Sequence, residues 1–145
     1  MPDYTQIFDG EQPITKHEFE DWHKKTVLEM IIKKPTSSVG WAAKALNYFL
    51  KTTVNIAGFG RPDLVKWIHP LIDRGLWEGI EDAYKDRLDI LEKTHYRQKE
   101  KDIVTYNDYR IIIEGMEIIA KERGYLLIGV EEFREERCNG KFEIL

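Results

Sequence analysis

Thr15-Lys16-His17-Glu18-Phe19-Glu20-Asp21-Trp22-His23-Lys24-Lys25-Thr26-Val27-Leu28-Glu29-Met30-Ile31-Ile32-Lys33-Lys34-Pro35 carries a helix start, a helix face and a helix stop in one stretch. Thr15 and Glu18 have the spacing of a capping box, in which each side chain takes the other residue's backbone N–H, and Ile14 stands where it can staple onto Phe19. Phe19, Trp22, Thr26, Val27, Met30 and Ile31 recur at helical spacing and define a buried face. Pro35 cannot continue the backbone ladder and ends the helix.

The same grammar repeats after this stretch. Thr36-Ser37-Ser38 offers an N-cap for a second helix over about Val39 to Val54, with Ala42, Ala45, Leu46, Phe49 and Leu50 as its apolar face. Pro62 suits the first turn of a short third helix that ends before Pro70. A fourth helix is expected from Pro70 or Asp73 to about Lys93, burying Ile72, Leu76, Trp77, Ile80, Tyr84 and Leu88. Gly75 and Gly79 either weaken it or admit another backbone. Glu92 to Asp102 is polar and of mixed sign, which fits a helix end and a connector. Thr105 and Asp108 then restate the capping signal, ahead of Tyr109, Ile112, Ile113, Met116 and Ile119, and Gly124 supplies the stop. Tyr125 to Val130 is a short apolar run, readable as a buried strand or as a turn into a helix through Glu136. The second fits better, because no partner strand is evident. The expectation is a mainly α, compact orthogonal domain of five to six helices over residues 1–145, with at most a short strand near the C-terminus.

Composition bounds the function. The chain has 145 residues, 42% apolar and 33% charged, which suits a packed core and not a disordered segment. Its one cysteine, Cys138, rules out an internal disulfide framework and fits a reducing compartment. There is no basic-then-apolar leader and no apolar run near the ~18 residues a membrane span needs, so a cytoplasmic protein without a membrane partner is expected. His17-Glu18 and His23 superficially suggest a zinc protease, but six helical positions set the two rings on opposite sides. No phosphate loop, nucleophile elbow or dinucleotide fingerprint occurs. No metal site and no cofactor are indicated.

The stretch from Trp41 to Gly79 stands apart. The net charge of the chain is −4, yet residues 36–68 carry Lys44, Lys51, Arg61 and Lys66 against Asp63 alone. Lys44, Asn47 and Lys51 fall at i, i+3 and i+7 and are expected to form one polar stripe. The turn Ala57-Gly58-Phe59-Gly60-Arg61-Pro62 can expose backbone N–H groups beside basic residues, a combination that holds phosphate. His69 and Asp73 follow in His69-Pro70-Leu71-Ile72-Asp73-Arg74. Their bland roles are a bond to a nearby carbonyl and a helix cap.

Ile56-Ala57-Gly58-Phe59-Gly60-Arg61-Pro62-Asp63-Leu64-Val65-Lys66-Trp67-Ile68 resembles a helix-hairpin-helix motif, the DNA-binding element of the base-excision DNA glycosylases. The resemblance covers about a quarter of the chain. It implies that the turn's amides meet a DNA phosphate. The glycosylases place a lysine two residues after the second glycine, where this chain has Pro62. In a second register Lys44 takes the lysine's part as nucleophile or charge stabiliser and Asp73 that of the acid–base partner. The Lys-x-x-Asn-x-x-x-Lys and His-Pro-x-x-Asp elements are also similar to those of small bacterial or phage proteins, which implies no particular activity. Two functions follow as expectations. The first is a nucleic-acid-associated protein that binds DNA or RNA through Lys44, Asn47, Lys51, Gly58, Gly60, Arg61 and His69, with Lys44 and Asp73 catalytic if it is glycosylase- or lyase-like. The second is a non-catalytic protein-interaction module or regulator anchored by Trp41, Tyr48, Phe59 and Trp67. Exposure of Trp41, Phe59 and Trp67 separates the two.

Overall fold

A computed structural model describes residues 3–94 and 100–134; Cys138, part of the Glu92–Asp102 connector and the expected helix end at Glu136 lie outside them. The described residues are helical and contain no strand. In chain order they form α1 (Thr5–Phe8), α2 (Lys16–Lys33), α3 (Val39–Leu50), a π-helical turn (Lys51–Ile56), α4 (Leu64–Trp67), α5 (Arg74–Tyr84), α6 (Leu88–Thr94) and α7 (Tyr106–Arg123). Two 3-10 turns, Glu100–Asp102 and Leu127–Glu131, complete them.

The caps stand where local sequence puts them. The Thr15 hydroxyl accepts from the Glu18 amide at 3.2 Å while the Glu18 carboxylate accepts from the Thr15 amide at 3.4 Å. Thr105 and Asp108 repeat the reciprocal pair at 3.0 and 3.2 Å. Ser38 caps α3 through the Trp41 amide, and Asp73 caps α5 through the Leu76 amide at 2.9 Å. Gly124 closes α7 in the left-handed conformation at φ 69°, which an L side chain seldom adopts.

Two element-level expectations change, and of the two readings of Tyr125–Val130 the turn into a helix is the one the described residues follow. Among the described residues there are seven α-helical segments, not five or six, because α1 adds a turn at the start and the expected fourth helix is broken. It stops at Tyr84, the Arg87 amide returns to the Tyr84 carbonyl at 2.8 Å, and α6 begins at Leu88. Leu88 is accordingly exposed and not buried. The Tyr125–Val130 run contains a 3-10 turn and no strand. The third helix is a single turn that starts at Leu64, after Asp63 takes a left-handed φ of 69°.

The core is assembled mainly on α7, which packs along α6 and against the Leu127–Glu131 turn, and on the α2–α3 pair. Phe19, Leu46, Leu50, Leu76, Ile80, Ile112, Ile113 and Met116 fill it. Two glycines set its spacing. A Cβ on Gly79 would lie 2.4 Å from the Phe133 carbonyl oxygen, and one on Gly115 would lie 2.5 Å from the Lys93 oxygen and Thr94 Cα. The backbone of residue 133 thus presses onto α5, and that of residues 93–94 onto α7. Gly79 is there for close approach. No helix among the described residues is long and apolar enough to cross a membrane.

Candidate functional site

Helix α3 has two faces, and the division falls where a 3.6-residue period sets it. Val39, Ala43, Leu46, Asn47, Leu50 and Val54 point inward. Trp41, Ala45, Tyr48, Thr52 and Ile56 run along the outside at i, i+4, i+7, i+11 and i+15. Trp41 is 50% exposed, Tyr48 64%, Ile56 70% and Phe59, in the turn that follows, 66%. Phe49, expected on the buried face, is 37% exposed, and its ring lies against Tyr4 and Phe8 with centroids 4.9 and 6.2 Å away. Ala45 is likewise exposed. An aromatic row of this length without a covering element is the most conspicuous surface feature of the described residues.

The residues expected to hold phosphate are dispersed. Asn47 does not share a polar stripe with Lys44 and Lys51; it is buried and bonded on both sides within the core. His69 is buried as well. The Lys44 ammonium sits 5.2 Å from the centre of the Trp41 ring. Lys51 pairs with Glu131 at 3.3 Å. Arg61 is folded inward, donating to the carbonyls of Gln6, Gln12 and Pro13 and pairing with Glu18 at 3.1 Å. Gly58 and Gly60 adopt φ of 77° and 118°, so the turn needs both. Four of its amides, however, are engaged: Ala57 donates to Thr52, Gly58 to Val54, Phe59 to Thr53 and Arg61 to Ile7. Asp73 caps α5 and accepts from Arg134 at 3.0 Å, which separates its contacts from those of Lys44. Trp67, expected at an interface, is half-buried and donates its indole N–H to the Ile14 carbonyl.

In place of a phosphate cradle the core holds a chain of hydrogen bonds that sequence reasoning did not find. Its direction can be worked out. Glu20 is paired with Arg110 at 2.8 Å. Burial works to raise its pKa, but the His69 ring and the Arg110 charge together bring it down to about 2, so it is ionised and only accepts. His69 Nε2 therefore donates to Glu20 at 3.3 Å, and its Nδ1 accepts from the Tyr109 hydroxyl at 2.6 Å. The Tyr109 oxygen accepts from the Asn47 amide, and the Asn47 carbonyl accepts from His23 Nε2, each at 2.8 Å. His23 Nδ1 then accepts from the Tyr106 hydroxyl at 2.8 Å. Burial, and after it the neighbouring His69 ring, push the pKa of His23 down to about 3. The two imidazoles lie 4.4 Å apart, and His23 stacks on Tyr109 at an interplanar angle of 9°. All four imidazole nitrogens have protein partners, which leaves no lone pair for a metal. The chain of bonds specifies how α2, α3, α7 and the His69 segment fit together.

No family model, no curated protein and no solved structure matches this chain.

Proposed function

We propose that this protein is a docking module whose working surface is the outer face of α3 and the turn after it, and that the partner is a second copy of the chain. The observation that carries this reading is the exposure of Trp41, Tyr48, Ile56 and Phe59 in one row. Large side chains of this kind present 150–250 Å² each, so the row leaves on the order of 400–500 Å² of apolar surface in water. That is at the upper end of what monomers expose, and it forms the centre of the roughly 800 Å² per partner that a standard interface buries.

Self-pairing suits the order of residues along the row. The row itself is uncharged. An antiparallel crossing centred on Tyr48 sets Trp41 of one copy against Ile56 of the other and Ala45 against Thr52, so the large apolar side chains of the two copies meet about a two-fold axis. Lys44 and Lys51 flank the crossing line on one side, where the register brings Lys44 of one copy near Lys51 of the other and Glu131, paired with Lys51 at 3.3 Å, supplies a counter-charge. Less supports a nucleic-acid function: the amides of Ala57, Gly58, Phe59 and Arg61 donate to protein carbonyls, Lys51 and Arg61 are paired with carboxylates, and Asn47 and His69 face inward.

Sedimentation velocity from micromolar to submillimolar protein tests this. A concentration-dependent dimer is expected, abolished by Tyr48→Lys while the thermal melt of the dilute protein is unchanged. A monomer at every concentration would remove the second copy as the partner. In a parallel titration, binding to DNA or RNA at low salt, weakening with salt and lost in Lys44→Ala/Lys51→Ala, would favour the nucleic-acid reading.

A further inference from the structure

Away from α3, the elements α2, α4, α7 and the Leu127–Glu131 turn converge on an open cleft of about 500 Å³, a volume within the range of small-molecule sites. Trp67, Ala120, Leu126 and Leu127 give it an apolar wall. Leu126 is 47% exposed, so part of this wall faces water.

The charges around the cleft do not cancel. Lys16 pairs with Glu117 at 3.2 Å, Lys66 with Asp63 at 3.2 Å, and Arg110, behind the floor, with Glu20 at 2.8 Å. Each of these carboxylates is thereby neutralised. Lys121 also lines the cleft, is exposed, and has no carboxylate partner among the described residues. One positive charge is left over beside an apolar wall, on a chain whose net charge is −4. A neutral apolar ligand would leave that ammonium unused, and a cation would be repelled by it.

We infer that this cleft binds a small organic anion with an aromatic body, its carboxylate or sulfonate against Lys121 and its ring against Trp67, Leu126 and Leu127. Lys16 and Lys66 stand at the same cleft and add to the attraction at long range, while the paired glutamates contribute little repulsion. The wall supplies hydrophobic contact, and the single ammonium fixes the orientation of the ligand. This site is independent of the docking face: none of its lining residues belongs to α3 or to the Phe59 turn.

Anilinonaphthalenesulfonate is a suitable probe, because it has the inferred chemistry and its fluorescence reports an apolar environment. Saturable binding is expected, with competition by naphthoate but not by naphthylamine. Lys121→Glu should weaken it about tenfold or more, as loss of a charge-assisted contact does. Leu126→Ser should also weaken it, and Tyr48→Lys should leave it unchanged. Both cleft positions are exposed, so these variants should keep the wild-type circular dichroism and melting temperature. Absence of saturable binding, equal affinity in Lys121→Glu, or loss of binding in Tyr48→Lys would each overturn the assignment, the last by placing the probe on the aromatic row.

Discussion

At the scale of single residues, Asn47 separates the two descriptions of α3. Read as one of three polar residues with Lys44 and Lys51, it belongs to a wet stripe, and its replacement should be neutral. In the structure it joins His23 to Tyr109 in the buried chain of hydrogen bonds. Asn47→Leu keeps much of the volume but strands the His23 N–H, at a cost of about 1–3 kcal/mol, and removes one hydrogen bond, worth about 1 kcal/mol, from a Tyr109 hydroxyl that keeps its bond to His69. A loss of about 2–4 kcal/mol in urea unfolding is expected; a change below 0.5 kcal/mol would mean that the bonds are not made. The sequence did contain the signal. Ala43, Asn47, Leu50 and Val54 share one helical line, and only the polarity of Asn47 argues for the surface. A buried polar residue cannot be told from an exposed one by its type, because its partners, His23 and Tyr109, lie 24 and 62 positions away. By contrast, the Thr15 cap was legible, since both halves of the bond lie within four residues. Thr15→Ala should cost about 1 kcal/mol.

At the scale of elements, local chemistry fixed helix starts well and helix ends less well. Ser38, Asp73, Thr105 and Gly124 announce their own roles. The break after Tyr84 does not, because Lys85, Asp86 and Arg87 include neither glycine nor proline. Arg87 there pairs with Asp89 at 3.2 Å and with Glu122 of α7 at 3.3 Å, a tertiary contact that no local pattern reveals. The glycines of α5 show the same division. Helix propensity alone makes Gly→Ala favourable by about 1 kcal/mol inside a helix. For Gly75 the added methyl meets the Arg134 Cγ at 3.3 Å, a side-chain contact that needs an adjustment of only a few tenths of an ångström although the guanidinium is held by Asp73, Glu131 and the Leu71 carbonyl. Gly75→Ala should therefore be neutral or slightly stabilising. For Gly79 the methyl would meet a backbone carbonyl at 2.4 Å, which can move only by shifting the 133–134 segment off the helix. Gly79→Ala should destabilise by about 2 kcal/mol or more, as overpacking does. Thermal melts of the two variants side by side check this; equal effects would mean that residues 133–134 do not pack against α5.

At the scale of the whole molecule, the buried chain of hydrogen bonds ties global stability to pH. His23 has an ordinary value of 6.5 when unfolded and is pushed down to about 3 when folded, by burial first and His69 second. Between these values the unfolded chain binds a proton that the native protein refuses, so the stabilisation is complete above pH 6.5 and is lost as the pH falls toward 3. Glu20 acts in the same direction over a lower window. Its carboxyl is held at about 2 against an ordinary 4.5, so the stability it contributes is present above 4.5 and lost as the pH falls through the folded value. The two windows join, and acid should unfold the protein progressively from pH 6.5 downward. Of these two groups, His23 is the one that acts from pH 7 to pH 5, contributing on the order of 2 kcal/mol at 1.36 kcal/mol per unit of pKa. Urea unfolding at pH 7, 6 and 5 should show this fall in midpoint, with little change in slope. His23→Phe lacks the titrating ring and also loses two hydrogen bonds. It should be less stable at pH 7 and nearly flat from pH 7 to 5. A wild-type midpoint that is level between pH 7 and 5 would show that His23 is not held neutral in the core, and the direction assigned to the hydrogen-bond chain would fall with it.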